Sequence, residues 1–326
     1  MEYLTLKHGD LRVSRICMGG CPMGQYGWGE VRESELLDAV CAAVDHGVNF
    51  FDTADTYGLG TSEQTLAKAL GARRNDVVIA TKFGVRVENG KTFYDNRPEW
   101  IEQALAGSLR RLGREYVDLY QIHYRDGKTP VGEVVEKLKE LRKKGYLRYF
   151  GLSNIHREDL EELLPWKEEF VSFQDEYSLA CRKNEADIQA ARAQLALTPM
   201  TWGSLGQGIL TGKYGRDAAF APTDRRSREI YVNFHGKKLA QNLEIVEVLR
   251  RIAGARQKPV AAAAIRFILD KFPDSVVLCG AKRPSQILSN LESLDWSLKA
   301  EELAALERVS QPDGEEEAGG GDRYDK

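Results

Sequence analysis

The chain has 326 residues, and its apolar content of 42% is ample for a large hydrophobic core. The formal net charge of −3 gives no reason to expect nucleic acid or an anionic membrane surface as the main partner. No stretch approaches the roughly 18 apolar residues of a membrane span. The charged N-terminus MEYLTLKHGD lacks the apolar core of a signal peptide, so we expect a cytoplasmic protein.

The five cysteines are scattered along the chain, and their odd number argues against a disulfide framework. They form no C-x-x-C pair and no His–Cys cluster with the spacing of a zinc site. We therefore expect reduced thiols and no structural metal.

Short apolar runs alternate with longer helical patterns along the chain. Helical spacing of apolar residues predicts helices in SELLDAVCAAVDHG, RPEWIEQALAGSLRRLG, VGEVVEKLKELRKKG and PVAAAAIRFILDKF. Several of the runs are almost continuously apolar, which is typical of strands that are buried on both faces. The eight runs begin at Ile16, Val48, Val77, Val117, Tyr149, Phe170, Leu195 and Ser275.

Eight strands that alternate with helices predict an α/β protein, a single-domain (β/α)8 TIM barrel of residues 1–310. The alternative is a doubly wound open sheet, but the G-x-G-x-x-G motif that it would need for a dinucleotide is absent. The stretch YLTLKHGDLRV predicts an N-terminal β-hairpin that closes the barrel floor. We also expect extra C-terminal helices and a polar, disordered tail of residues 311–326.

Chemically distinctive residues stand at the ends of three consecutive predicted strands. The second strand ends in Asp52 and leads to Tyr57, the third ends in Lys82, and the fourth ends in His123. Barrel enzymes place their sites at the C-terminal ends of the strands, so these four residues should lie together. Each alone has an ordinary reading, as a structural ion pair, a helix cap, a buried histidine or a pocket aromatic. Their joint occurrence is what indicates a catalytic site.

The four side chains are suited to delivering a proton to a carbonyl oxygen. A tyrosine hydroxyl has an ordinary pKa of about 10, and a neighbouring ammonium group stabilises the phenolate. Lys82 can supply the ammonium, and Asp52 can hold it charged and in place. His123 can hydrogen-bond the substrate oxygen alongside Tyr57. The set contains no nucleophile and no metal ligand cluster.

Five blocks of sequence, in this order, resemble the aldo-keto reductase family: GVNFFDTADTYGLGTSEQTLAKAL, VVIATKFG, YVDLYQIHY, LRYFGLSNI and LGQGILTGKY. The resemblance extends from about residue 4 to residue 309. It implies a (β/α)8 barrel that reduces carbonyl compounds with NADPH. The family's catalytic tetrad falls on Asp52, Tyr57, Lys82 and His123.

The resemblance also implies which residues bind NADP(H). Ser153, Asn154 and Gln174 would bind the nicotinamide carboxamide, and Trp202 would stack on the nicotinamide ring. The pyrophosphate would lie along a glycine-rich loop that includes Gly203, Ser204, Leu205, Gln207, Gly208 and Lys213.

The adenosine end would be bound by the block CGAKRPSQILSN, through Gly280, Lys282, Arg283, Gln286 and Asn290. Lys282 would face the 2′-phosphate, and Gln286 and Asn290 would hold the adenine. A cation beside the amides of a helix start suits a phosphate. The alternative is that Lys282 and Arg283 only solvate the helix N-terminus.

An aromatic wall is predicted around the tetrad, which suits an apolar aldehyde or the face of a sugar. The long Arg-rich connection of residues 206–238 could recognise an acidic or phosphorylated group through Arg225, Arg226 and Arg228, or could be a solvated basic loop that partly covers the cofactor. The predicted wall consists of Tyr26, Trp28, Phe83 and Tyr124, with Tyr94 as a further candidate.

Three functions remain open at this point. The main hypothesis is an NADPH-dependent reductase of aldehydes or ketones. A sugar or polyol oxidoreductase that works mainly in the oxidative direction would use the same tetrad. A regulatory subunit that resembles potassium-channel β-subunits would keep the fold and bind NADPH, but the complete tetrad argues against it. The sequence is compatible with a monomer or a homo-oligomer.

Overall fold

In the computed structural model, which describes residues 1–311, the chain begins with a β-hairpin. Its strands β1 (Tyr3–Thr5) and β2 (Arg12–Ser14) pair antiparallel. The buried side chains of Leu6, Leu11 and Val13 belong to the same apolar cluster as the inward-facing residues of the strands that follow. The predicted hairpin is therefore present and closes one end of the fold.

Eight parallel strands then close into a barrel, which confirms the predicted (β/α)8 fold. Around the barrel each strand pairs with the next in the chain, and the last pairs with the first. The remaining two strands, β6 (Val85–Glu88) and β7 (Lys91–Tyr94), form a separate hairpin. The barrel strands are β3 (Ile16–Gly19), β4 (Phe50–Asp52), β5 (Val78–Phe83), β8 (Val117–Ile122), β9 (Leu147–Ser153), β10 (Phe170–Glu176), β11 (Thr198–Trp202) and β12 (Val276–Gly280).

Helices cover the outside of the barrel, and they begin and end close to the residues that predicted a helix start or a helix end. Thus Pro98 opens the third helix, and Gly113 ends it in the left-handed conformation with φ of 63°. The helices are α1 (Glu33–Asp45), α2 (Thr61–Leu70), α3 (Pro98–Leu112), α4 (Val131–Lys143), α5 (Leu160–Leu163), α6 (Glu185–Leu195), α7 (Gly236–Gly254), α8 (Val260–Lys271), α9 (Pro284–Leu291) and α10 (Ala300–Val309). Helices α7 and α10 pack against each other and are additional to the strand–helix alternation.

The alternation of side chains along the strands separates the barrel interior from the layer beneath the helices. Phe50, Val78 and Ala80 face inward and share one apolar cluster with the N-terminal hairpin. The same inward rows continue to Asp52 on β4 and to Lys82 on β5. The pleat of the strands therefore places both charged side chains inside the barrel, at the end where the strands terminate.

The connection between β11 and α7 contains three short 3-10 helices, Gly206–Thr211, Arg225–Ser227 and Val232–Phe234. Residues 312–326, nearly all of the predicted tail, lie outside the described residues, so the tail and the domain boundary at residue 310 stay predictions. Within residues 1–311, no helix has the length and hydropathy that a membrane crossing requires.

Candidate active site

A buried ion pair lies at the centre of the site. Lys82 on β5 and Asp52 on β4 are excluded from solvent, and the lysine Nζ lies 2.5 Å from the aspartate Oδ1. The Oδ2 of Asp52 accepts hydrogen bonds from Nε2 of Gln121 at 2.9 Å and from Nε2 of Gln174 at 3.0 Å. A buried ion pair persists only when its remaining hydrogen-bonding capacity is used. The two amides meet this need and fix Asp52, which in turn fixes the ammonium group.

Tyr57 lies on the segment that joins β4 to α2, with its hydroxyl beside the Lys82 ammonium. The Nζ atom is 3.4 Å from the tyrosine hydroxyl and 5.0 Å from the ring centroid. The same Nζ donates to the carbonyl oxygen of Thr53 at 3.0 Å, which ties the lysine to the Tyr57 segment. A cation in this place favours the phenolate, as a tyrosine general acid requires.

His123 follows β8 directly, and its ring meets the Tyr57 ring edge-on, with 5.8 Å between the centroids. Burial first, and then the charge of Lys82, lower the pKa of His123 well below its ordinary value. The imidazole is therefore neutral at physiological pH and can donate one hydrogen bond from a ring nitrogen. The structure thus brings together the four residues that the strand ends predicted.

Three of these residues, Asp52, Tyr57 and His123, line a cavity of about 1250 Å³, larger than the roughly 300–1,000 Å³ of an ordinary small-molecule site. Next to the tetrad, Asn154 donates from Nδ2 to the His123 carbonyl oxygen at 3.0 Å and to the Ser153 Oγ at 3.1 Å. Trp202 donates from Nε1 to the Asn154 Oδ1 at 3.2 Å. The predicted nicotinamide residues therefore form one network with the tetrad, and Gln174 belongs to it through Asp52.

The loop after β11 lines the middle of the cavity. Its backbone has positive φ at Gly203 (66°), Gly206 (54°), Gln207 (55°) and Gly208 (103°). Residues in this conformation turn backbone N–H groups towards one side and create anion-binding concavities. Ser204, Leu205 and Lys213 also line the cavity here, so all the residues predicted to bind the pyrophosphate are cavity residues.

Lys282 and Arg283, just before α9, point in different directions. Lys282 lines the cavity, and its Nζ donates to the carbonyl oxygen of Trp28 at 2.5 Å. Arg283 is exposed, is not a cavity residue, and pairs instead with Glu35 on α1, with 3.0 Å between Nε and Oε2. Gly280, Gln286 and Asn290 line the same end of the cavity as Lys282.

A second cation, Arg226, reaches this end of the cavity from the long connection. Its guanidinium group binds both carboxylate oxygens of Asp224, at 2.9 and 2.6 Å, and donates to the Tyr214 hydroxyl at 2.7 Å. Burial first, and then the charge of Arg226, lower the pKa of Lys282. The positive charges of Lys282 and Arg226 therefore lie close together, and the single negative charge of Asp224 compensates them only in part. The sequence placed Arg226 in a basic loop but gave no sign of this neighbour.

The buried side chain of Asn290 gives independent evidence for a ligand. Its Nδ2 is out of contact with solvent and has no hydrogen-bond partner within residues 1–311. A buried donor without a partner is unfavourable by about 1–3 kcal/mol, which a bound acceptor would relieve. The residues at this end of the cavity therefore fit a phosphorylated nucleoside.

The prediction of Phe83 as a pocket residue is corrected by the structure. Phe83 is completely buried on the outer side of β5, where its ring packs on Tyr120 with 4.7 Å between centroids. Neighbouring side chains of a strand face opposite ways, and Lys82 already faces inward.

The other predicted aromatic residues divide into two groups. Trp28 and Tyr124 line the cavity, and Tyr94 stacks on Tyr124 with 5.0 Å between centroids. Tyr94 and Tyr124 also line a smaller adjoining cavity of about 310 Å³. Tyr26 is 64% exposed and lies under the Arg225 guanidinium group, outside the main cavity.

The loop after β3 and the long connection after β11 meet each other beside the cavity. The backbone N–H of Arg225 donates to the Gly27 carbonyl oxygen at 3.0 Å. The rings of Trp28 and Tyr231 meet edge-on with 6.3 Å between centroids. These contacts form a bridge between the two loops, and the Lys282–Trp28 hydrogen bond ties the loop after β3 to the segment after β12 as well.

Within residues 1–311, no group of three or more His, Cys, Asp and Glu side chains is arranged to hold a metal ion. All five cysteines are free thiols.

Comparison with known proteins agrees with this geometry. The model of the aldo/keto reductase family matches residues 15–311. The chain is 31% identical to aldo-keto reductase YhdN of Bacillus subtilis, over 95% of this chain and 93% of the relative.

Two solved structures are similar over the whole barrel. A glycerol dehydrogenase, AKR11B4 from Gluconobacter oxydans, is 32% identical with a TM-score of 0.83 over 94% of both chains. An aldo/keto reductase from Klebsiella pneumoniae, solved in complex with NADP and acetate, is 25% identical with a TM-score of 0.72 over 94% of both chains. With a family match that spans nearly all of the described chain, this protein belongs to the aldo/keto reductase family.

Proposed function

We propose that the protein is an NADP(H)-dependent oxidoreductase that reduces aldehydes or ketones to alcohols. The observation that carries the proposal is the buried Lys82–Asp52 pair beside the Tyr57 hydroxyl, at one end of a cavity whose other end is basic. Family membership and the NADP complex of the Klebsiella relative support it.

The lining of the cavity suits NADP(H) in an extended form. Asn154, Ser153 and Trp202 would hold the nicotinamide end beside the tetrad, and the glycine-rich loop would hold the pyrophosphate. Lys282 and Arg226 would face the 2′-phosphate, and Asn290 would hydrogen-bond the adenine. The bound cofactor would supply the hydride for the reduction.

Side chains of the protein supply the proton and stabilise the group that loses it. Tyr57 donates its hydroxyl proton to the carbonyl oxygen as negative charge develops there, and the Lys82 ammonium stabilises the phenolate that remains. Asp52 keeps the ammonium in position through the 2.5 Å contact. His123, as a neutral imidazole, donates a hydrogen bond to the same carbonyl oxygen and orients it. In the oxidative direction the phenolate accepts the proton of an alcohol.

The proposal is tested with purified protein by following NADPH oxidation against a panel of aldehydes and ketones. Tyr57→Phe should lower turnover by about 10²-fold or more, because it removes the general acid. NADPH binding, measured by fluorescence titration, should stay nearly unchanged. Tyr26→Phe is the matched control, since that hydroxyl lies outside the cavity, and it should behave as the wild type. Wild-type turnover in Tyr57→Phe would refute the assignment.

A polyol oxidoreductase is the second candidate, and the likeness to a glycerol dehydrogenase favours it. The stacked Tyr94 and Tyr124 rings beside the tetrad would offer a flat face to a hydroxylated carbon chain. Comparing kcat/KM for NADP⁺-dependent oxidation of polyols with that for carbonyl reduction would separate the two. A protein that binds NADPH but turns over neither class would fit a regulatory subunit instead.

A further inference from the structure

Asp55 lies between Asp52 and Tyr57, and its carboxyl group has no part in the proposed reaction. The residue as a whole is partly buried. Its Oδ1, however, is out of contact with solvent and has no hydrogen-bond partner within the described chain. The nearby backbone N–H of Thr56 favours the ionised form, but this effect is smaller than that of burial. An ionised carboxylate with one buried, unpartnered oxygen is costly, so this environment favours the neutral acid.

A second carboxyl group, that of Glu63 on α2, acts on Asp55. Glu63 is completely buried, and both of its oxygens are in use. Its Oε1 accepts from the Thr81 Oγ1 at 2.7 Å, and its Oε2 accepts from the Arg111 Nε at 2.5 Å. Arg111 is thus committed to Glu63 and offers Asp55 only partial compensation.

The charged and titratable groups that act on Asp55 come from four elements: Glu63 on α2, Arg111 on α3, Lys82 on β5 and the Tyr120 hydroxyl on β8. Burial first, and then the charge of Glu63, raise the pKa of Asp55 to about 8. The opposing effects of Arg111, the Thr56 N–H and Lys82 are smaller. Asp55 therefore holds its proton at neutral pH and releases it in mildly alkaline solution.

The segment that carries Asp55 has little freedom to adjust. The Thr53 carbonyl oxygen is bonded to the Lys82 Nζ, and the Tyr57 N–H donates to the Ala54 carbonyl oxygen at 3.2 Å. Gly58, with φ of 61°, lies so close to Gly24 that a Cβ atom would be 2.3 Å from the Gly24 carbonyl oxygen. A negative charge on the Asp55 Oδ1 has no hydrogen-bond donor within the described chain, so it is stabilised only if the segment shifts to admit water.

We infer that Asp55 is a positioning residue: its proton keeps the Tyr57 segment in the geometry that places the Tyr57 hydroxyl beside Lys82. Loss of that proton displaces the segment and lowers turnover. The catalytic part of this inference rests on the proposed role of Tyr57, whereas the protonation of Asp55 does not.

The first test is the pH profile of kcat for carbonyl reduction in the wild type, Asp55→Asn and Glu63→Gln. Asparagine imitates the neutral acid and cannot ionise. At about pH 9, one unit above the titration, Asp55→Asn should therefore retain about tenfold more of its pH 7 turnover than the wild type does. Glu63→Gln removes the repelling charge and frees Arg111, so the alkaline loss should move to lower pH. A merely structural role would not move the two profiles in opposite directions.

The second test does not need activity. The pKa of Asp55 is raised in the folded state from 3.8 to about 8, so its stabilising contribution is complete below pH 3.8 and is lost as the pH rises towards 8. Asp55→Asn lacks this dependence. Its Tm relative to the wild type should therefore rise between pH 5 and about pH 9.

The outcomes separate the two proposals. A wild type that reduces no carbonyl would remove the proposed function, while the Tm comparison would still test the proton on Asp55. The inference would be overturned if the wild type is active, Asp55→Asn has the same pH profile of kcat, and the Tm difference between the two proteins does not change with pH. Should Asp55→Asn fail to fold, the shift expected in Glu63→Gln decides the matter, and an unshifted alkaline loss in that variant counts against it.

Discussion

Replacing Lys282 by alanine tests how the adenosine end of the cavity distinguishes NADPH from NADH. The two cofactors differ only in the 2′-phosphate, so a preference must come from a group that meets this phosphate. A charge-assisted hydrogen bond contributes about 1.5–3 kcal/mol, or about one to two powers of ten in affinity. Arg226 remains in the variant and keeps part of the attraction. We therefore expect NADPH to bind about tenfold more weakly to Lys282→Ala.

The hydrogen bond from Lys282 to the Trp28 carbonyl oxygen complicates a single measurement, because its loss affects the loop whichever cofactor binds. The informative quantity is the ratio of the change for NADPH to the change for NADH. We would measure both dissociation constants by fluorescence titration in the wild type, Lys282→Ala and Arg283→Ala. Arg283 is the matched control, since it pairs with Glu35 outside the cavity, and its variant should bind both cofactors nearly as the wild type does.

Two results would refute this reasoning. Equal losses for NADPH and NADH in Lys282→Ala would mean that the lysine acts only through the loop. A wild type that prefers NADH would mean that the basic end of the cavity has been assigned to the wrong group.

Three further changes test other parts of the structure. Trp202→Ala should remove most of the fluorescence quenching that NADPH causes and weaken its binding; unchanged quenching would assign the signal to another tryptophan. Asp52→Ala should lower the free energy of unfolding by about 3–5 kcal/mol, because it leaves the Lys82 charge buried without its partner, and it should also abolish turnover. Chemical denaturation measures the first effect and a steady-state assay the second. A variant that is both active and as stable as the wild type would contradict the role of the ion pair. Phe83→Ala should cost about 3–5 kcal/mol of stability and leave the substrate KM unaltered, and a KM that rises severalfold would restore Phe83 to the pocket.

The proximity of Asp52, Lys82 and His123 could be predicted from the sequence because two general rules act together. Alternating strands and helices imply a barrel, and a barrel places the ends of its strands at one rim. Asp52, Lys82 and His123 stand at those ends, so their proximity follows from topology without any knowledge of side-chain contacts. Phe83 shows the limit of that reasoning, because the rim also includes residues that face outward. The two-residue period of β5 contained the information needed to exclude it.

Other features had weaker signals. The hairpin of β6 and β7 was not predicted, although its turn, Asn89-Gly90, is the sequence that such hairpins favour, and both residues have positive φ. No sequence pattern pointed to Gln121, since a glutamine within an apolar strand does not reveal that it will donate a hydrogen bond to Asp52. The approach of Arg226 to Lys282 depends on the path of a connection of more than thirty residues, which local patterns do not determine.

The bridge between the loops that follow β3 and β11 has a kinetic consequence. Strand β12 lies between these two strands in the barrel, so the bridge passes over its end, from which the chain runs on to Lys282. If NADP(H) binds in the cavity as proposed, it would lie beneath the bridge and could leave only after the contacts from Trp28 to Tyr231 and from Gly27 to Arg225 have parted. The opening of the loops would then set the residence time of the cofactor, independently of the rate of hydride transfer. With a good carbonyl substrate we expect the first turnover to outpace all later ones, so that rapid mixing reveals a burst of NADPH consumption before the slower steady state.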